Sequence, residues 1–418
     1  MTLLLKSATI LDASQPSQHG KKRDILIENG VITKIATRLE TPKGAKTISL
    51  KNLHVSPGWF DSSVSFGEPG FEERETLSNG LRVAAASGFT GIVLNTDTRP
   101  VPDTSGDIVF LKDSSSRAIT ELFPLGTLSK GAGGTELAEL YDMSQAGAIG
   151  FSDYKAALEQ PNLLKLALLY TRNFNGLVFS FPQDEDLSAK GQMNEGEVSV
   201  RLGLKGIPSL AEELRIARDL AILEYTGGKL HIPLISTERS VELIAGAKKR
   251  GLDVSCSVSV HHLFLTDSEL ESFDSRFKVL PPLRGRRDCK ALQKALKEGI
   301  IDLVTSDHCP VDVEEKRVEF DRAAYGTIGL ESAFGVLNQI YDTATCTGIL
   351  ARGRSRFGLP EIRLRTGETA NLTLFDPEAS YTFEAGDIQS TSKNAIFLGK
   401  PLKGRTYGVI VGGKSNLG

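Results

Sequence analysis

The stretch PGWFDSSVSFGEPG (57–70) sets the reading of this chain. It has the form of a buried strand that ends in small residues and runs into a glycine-rich turn. Ser63 and Ser65 stand two positions apart, so on a strand their side chains face the same way. Two small hydroxyls side by side at a strand end raise the question of what that end is for.

The same unit recurs down the middle of the chain. NGLRVAAASG (79–88) has a helical pattern and leads into the strand GFTGIVLNT (88–96). GAIGFSD (147–153) reads as a strand, EQPNLLKLALLYTRNF (159–174) as a helix and NGLVFSF (175–181) as a strand. SLAEELRIARDLAILEYT (209–226) has apolar spacing near the helical period, with Ser209 as its N-cap. KLHIPLIST (229–237), ERSVELIAGAKKRG (238–251), LDVSCSVSV (252–260), CKALQKALKEG (289–299) and IIDLVTSD (300–307) continue the alternation. Repeated βα units with buried strands predict an α/β fold with a parallel sheet. About eight such strands close a TIM (β/α)8 barrel, whose active site lies at the strand C-termini. Ser63, Asp153, Phe181, Leu234 and Asp307 all fall at or near such ends.

The two ends of the chain read differently. RDILIENGVITKIA (23–36) holds two apolar strands around Asn29-Gly30, a strong hairpin signal. NLTLFD (371–376), NAIFLG (394–399) and YGVIVGGK (407–414) are short apolar runs between turn residues. The expected organisation is a composite β-sandwich domain from residues 1–54 with 366–418, and a barrel over 55–365.

Bulk properties narrow the function classes. The 418 residues carry a net charge of −3, which gives no general electrostatic case for nucleic acid or an anionic membrane. Apolar runs such as LLKLALLY (163–170) are well short of the roughly 20 residues that span a bilayer. MTLLLKSATILD lacks a basic lead and reads as a strand rather than a signal peptide. Cys256, Cys289, Cys309 and Cys346 are widely spaced, which fits a reducing, cytoplasmic setting.

Several stretches together resemble the dihydroorotases of the cyclic amidohydrolase superfamily. They are PGWFDSSVSFGEPG (57–70), DTRPVPDT (97–104), MNEGEVSVRLGLKGIPSLAEE (193–213), HIPLIST (231–237), VHHLFLTD (260–267), KVLPPLRGRRD (278–288), TSDHCPVDVEEKRVEFDRAAYGTIGLES (305–332) and GETANLTLFDP (367–377). The resemblance implies a TIM barrel flanked by a composite β-sandwich. It implies one or two zinc ions at the strand ends and reversible cyclisation of N-carbamoyl-aspartate to dihydroorotate. The chemistry explains the parts: a metal lowers the pKa of a bound water and polarises the carbonyl. A carboxylate then shuttles the proton, and cationic and amide donors hold the substrate carboxylate.

Position by position, the resemblance breaks at the site. The family's His-x-His pair and following Arg correspond to Ser63, Ser65 and Gly67. The carboxylate or carbamylated-lysine position falls on Asp153. The next two histidine ligands correspond to Phe181 and Leu234, and the last ligand, an Asp, is kept as Asp307. The substrate-binding asparagines correspond to Asp97 and Leu280, and His308 follows Asp307 as a vestigial anion-binding position. Two carboxylates without imidazoles make a poor zinc site, so no cofactor is expected. Asp307 is then a vestigial base position. Ser63 and Ser65 are expected to pair with Asp307 or Asp153. His231, His261 and His262 are taken as core histidines, and Cys309 as a small buried hydrophobe rather than a nucleophile.

Two readings follow. In the first, the chain is a non-catalytic dihydroorotase homologue, a pseudoenzyme of pyrimidine biosynthesis. Its expected partner is aspartate carbamoyltransferase or an active dihydroorotase, and it is itself a homodimer. In the second, it is a working cyclic amidohydrolase that opens a cyclic amide C–N bond with an altered site.

Overall fold

The computed structural model describes residues 2–417. The first strands are β1 (Thr2–Ile10), β2 (Lys22–Glu28), β3 (Val31–Ala36), β4 (Lys46–Ile48) and β5 (His54–Pro57). β2 and β3 form the expected hairpin. Its tip, Asn29-Gly30, has φ of 49° and 81°, the two left-handed positions that a type I′ turn demands.

The barrel follows. Its strands are β6 (Trp59–Val64), β7 (Phe89–Leu94), β8 (Glu121–Pro124) and β9 (Leu177–Phe179), and, beyond a small ladder of β10 (Met193–Asn194) and β11 (Gly206–Ile207), β12 (Lys229–Ile232), β13 (Val254–Ser259) and β14 (Leu303–Thr305). β6–β7–β8 and β9–β12–β13–β14 pair in parallel. Phe151 closes one gap by bridging Gly126 and Val178, and a Val64–His308 bridge closes the other. The result is a ring of eight staves, the fourth reduced to the segment around Phe151. Phe60, Phe123, Leu177, Phe179 and Leu303 interdigitate inside it with Phe357 from below, so the interior is packed rather than hollow.

The chain ends meet in one sheet. β15 (Asn371–Thr382), β16 (Pro401–Val411) and β17 (Lys414–Ser415) join β1–β5 through antiparallel pairing of β15 with β5. Leu3, Leu5, Ile25, Ile27, Val55, Leu372, Leu374 and Ile410 form its own apolar core. The barrel and the sheet meet at Trp59, which packs on Phe334 and Phe375 with ring centroids 4.8 and 5.5 Å away.

The helices agree with the periodicity: Leu77–Ala86, Pro161–Thr171, Ser209–Thr226, Glu238–Lys249 and Arg286–Lys297. Ser209 is the first helical residue rather than the cap, which falls on Pro208. The expected strand at 394–399 is not one. Ala395 makes a single bridge to Ile328, and Ile396 and Phe397 turn inward to the barrel core. Apolar character there reports burial against barrel loops, not a ladder. Among the described residues, no helix is long and apolar enough to cross a membrane.

Candidate functional site

The strand C-termini gather a set of buried polar groups. On the first stave, Ser63 and Ser65 face inward, but they do not pair with the carboxylates expected of them. Asn95, at the end of the second stave, donates its Nδ2 to both hydroxyls at 3.1 Å, and Ser63 Oγ donates to Asn95 Oδ1 at 3.3 Å. A neutral amide–hydroxyl ladder therefore stands at the His-x-His positions. Below it, Asp61 is 0% exposed and accepts from Ser63 N at 3.1 Å, Ser306 N at 2.9 Å and Thr305 Oγ. This carboxylate ties the first stave to the eighth.

Asp153 serves a loop. Its oxygens accept from Leu128 N at 2.9 Å, Ser129 N at 3.0 Å and the Ser129 hydroxyl. Burial raises its carboxyl above the ordinary value, and the Ser129 bonds oppose that rise. The next two residues turn toward the site instead. Tyr154 takes a left-handed φ of 57°, and Lys155 extends to Asp307 Oδ2, with its Nζ donating at 3.0 Å. The two side chains are 11% and 3% exposed. Burial pushes Asp307 up to about 6, with Lys155 opposing and Asp61 and Asp97 adding to the rise. Burial, the largest single influence, would depress the Lys155 ammonium, but the charge and hydrogen bond of Asp307, with Cys309 and Asp97, together outweigh it and the net shift is upward. The 3.0 Å contact between them is a buried ion pair across the mouth.

Phe181 and Leu234, at the positions of two histidine ligands, are 2% and 1% exposed and fill the mouth. A cavity of about 10 Å³ remains, lined by Ser63, Asn95, Tyr154, Lys155, Phe181 and Leu234. That is the room of a single water. Gly67 has a φ of +104°, and a Cβ there would sit 2.7 Å from Phe71 O. The missing arginine is thus closed off by the backbone as well as by the residue change.

The other positions are tied down locally. Asp97 Oδ1 is buried with no partner, and burial raises its carboxyl, partly offset by the Ser65 hydroxyl. His308 accepts at Nδ1 from Gly329 N at 3.2 Å and packs edge-on to Phe66; burial holds it down at about 3. His231 bonds Ser255 and Ser257 at 2.8 and 3.2 Å. His262 is clasped by Ser259 and the carbonyls of Pro281 and Pro282, beside Leu280. His261 Nε2 lies 4.0 Å from Asp307 Oδ2. Cys309 is half-buried rather than fully buried, and burial raises its thiol.

The backbone keeps a different record. Tyr154, Leu234 and Asp307 have φ of 57°, 55° and 47°. Left-handed non-glycine residues cost of order 1–3 kcal/mol each and cluster where a fold presents functional groups. Three of them ring this mouth.

This architecture is shared with hydantoinases. L-hydantoinase (dihydropyrimidinase) from Arthrobacter aurescens superposes with a TM-score of 0.85 over 99% of this chain and 95% of that one, at 21% identity. A D-hydantoinase superposes with a TM-score of 0.81 at 22% identity. Both define the fold as a TIM barrel with a β-sandwich. A dihydro-orotase-like family model matches residues 53–240. A dihydroorotase of Pelotomaculum thermopropionicum is 38% identical over 99% of this chain and 98% of its own length. One from Anaeromyxobacter dehalogenans is 37% identical over 94% and 93%. The chain belongs to the dihydroorotase family.

The residues present do not fit the zinc that the family's chemistry uses. The ligand positions offer two hydroxyls engaged by an amide, two apolar side chains and two carboxylates, Asp153 tied to the Leu128–Ser129 loop and Asp307 paired with an ammonium. No three His, Cys, Asp or Glu side chains come together to hold a metal among the described residues. Lys155, Tyr154 and Asn95 are not among the residues the sequence marks for the site, although Lys155 stands two residues past GAIGFSD and Asn95 lies in GFTGIVLNT.

Proposed function

We propose that this chain is a non-catalytic member of the dihydroorotase family that acts as an assembly partner in pyrimidine biosynthesis, for example of aspartate carbamoyltransferase. One observation carries the reading. The Lys155 ammonium is paired to Asp307, and the cavity left beside it is about 10 Å³. A six-membered ring with its carboxylate has no place there, and Asp307 Oδ2 is taken by the Lys155 ammonium. The Asn95 ladder and the closed Gly67 turn point the same way: both are compensations around lost ligands, which a working site has no use for.

The protein is purified from cells grown with zinc, and metal content, dihydroorotate hydrolysis and co-migration with aspartate carbamoyltransferase are measured. The expected result is less than about a tenth of a metal ion per chain, no turnover and a stable complex. Near-stoichiometric zinc with turnover overturns the reading in favour of a working amidohydrolase.

A further inference from the structure

The Lys155 side chain starts on the loop after the fourth stave, and Asp307 stands at the end of the eighth, diametrically opposite in an eight-stave ring. The contact therefore crosses the mouth of the barrel. The residues it joins are 152 positions apart in sequence. Around it lie Asp97, whose Oδ1 is unpartnered, Asp307, whose Oδ1 is unpartnered, and the Tyr154 hydroxyl and His261 Nε2, both also unpartnered and buried. Tyr154 supplies its ring face 5.3 Å from the same Nζ. Asp61 lies just beneath, on the Thr305–Ser306 backbone that carries Asp307.

Buried carboxylates of this kind do not stay ionised without a compensating charge. Arg74 acts on Asp97 from outside, but its guanidinium is bonded to Glu315 at 3.1 Å. Lys316 is engaged elsewhere, donating to the carbonyls of Lys278, Ala324 and Gly326 at 3.0, 2.9 and 2.8 Å. Lys155 is thus the cation in direct contact with the cluster. The left-handed backbone at Tyr154 aims it there.

We propose that the Lys155 ammonium is a resident cation that takes over the charge-balancing and cross-barrel bridging role of a bound metal ion, so that the barrel holds its mouth together with no ion at all. The inference rests on the reading of the site as metal-free and adds to it. Loss of ligands alone predicts a site that is inert and tolerant of further change. A built-in cation predicts a site that is inert and intolerant at one position, with a defined suppressor.

The test uses the full chain in metal-free buffer, with and without EDTA, and follows thermal unfolding by circular dichroism. Lys155→Met keeps the length of the side chain and removes the charge. Its melting temperature is expected to fall by about 5 °C or more, the size of effect that follows from stranding a buried charge in a chain of this length. Asp307→Asn alone strands the ammonium and is expected to fall as well. The double variant Lys155→Met with Asp307→Asn removes both charges and is expected to recover more than half of the loss. EDTA is expected to leave wild type unchanged.

A Lys155→Met melting temperature within about 1 °C of wild type overturns the inference. So does a double variant no better than Lys155→Met, which would assign the loss to packing. If Lys155→Met is insoluble, a soluble double variant supports the proposal and an insoluble one refutes it. Metal content separates this from the functional reading: a metal-free wild type with an indifferent Lys155 sinks this inference alone.

Discussion

His262 offers a quantitative check on how the core is wired. It is 2% exposed. Its Nε2 lies 3.1 Å from both Pro281 O and Pro282 O, and carbonyls only accept, so Nε2 carries the proton. Nδ1 then accepts from the Ser259 hydroxyl at 2.6 Å. Every polar atom of the neutral ring is satisfied, and a second proton would face an oxygen already committed as donor. Burial, the largest cause, holds the ring down at about 3 from an ordinary 6.5. The sign follows. The unfolded chain takes up a proton below pH 6.5 that the folded chain refuses until about pH 3. The contribution of this residue is therefore whole above 6.5 and drains away as pH falls. Each pH unit corresponds to about 1.4 kcal/mol, so between pH 6.5 and 5 the loss is roughly 2 kcal/mol. Urea unfolding of wild type and His262→Gln at pH 7, 6 and 5 isolates the term, because groups common to both proteins cancel. The stability gap between them is expected to narrow by roughly 2 kcal/mol from pH 7 to pH 5. Two stability curves that stay parallel over that range would show that the imidazole is not held neutral by its surroundings, and the reasoning would fail.

Three further outcomes are expected. Trp59→Ala should lower unfolding free energy by about 3–5 kcal/mol, because the ring is 0% exposed, packs on Phe89, Phe334 and Phe375 and donates to Ser56 Oγ at 3.0 Å; a loss under about 1 kcal/mol by denaturant titration would contradict the seam. Gly30→Ala should destabilise by about 1–3 kcal/mol, because φ is +81° and a Cβ would meet Gly412 C at 2.8 Å; an unchanged midpoint would refute the hairpin geometry. Glu212→Gln should cost about 2–4 kcal/mol, because Oε1 accepts from Ser236 N, Thr237 N and Ser240 Oγ at 2.8, 3.2 and 2.6 Å while Oε2 meets the Ser236 hydroxyl and Arg284, and an amide nitrogen at the second place turns a donor on those two; a neutral substitution would show that the network is not fully engaged.

Much of this architecture was legible in the residues. Helices with a clear period, such as 209–226, and the Asn29-Gly30 turn are local signals, and local signals survive folding. The barrel followed from repetition. The short fourth stave was harder: Phe151 contributes a single bridge on each side, so nothing in GAIGFSD distinguishes a strand from an extended linker. At the site, matching motifs located the positions that had changed but not the residues that had moved in. Ser63 and Ser65 were expected to meet a carboxylate because a hydroxyl suits one. They meet Asn95 because, although the first stave is flanked by both the second and the eighth, the second ends in an amide within reach of the hydroxyls while Asp307 is drawn across to Lys155. Lys155 was invisible for a related reason. A lysine at a strand end reads as a surface residue, and only the left-handed turn at Tyr154 and the geometry of opposite staves bring it across to Asp307.

The pairing of β5 with β15 has a consequence for how the chain is made. On the ribosome, β1 to β5 emerge first and can form their half of the sheet at once, but β5 then presents an open edge. Its partner strand is synthesised only after the whole barrel. Until then the nascent chain carries an unpaired edge, the feature that most invites strand addition by a stranger. Any product ending before β15 keeps that edge for good. The fold thus checks its own completeness: a finished chain caps itself, and an unfinished one advertises itself as a substrate for chaperones and proteases.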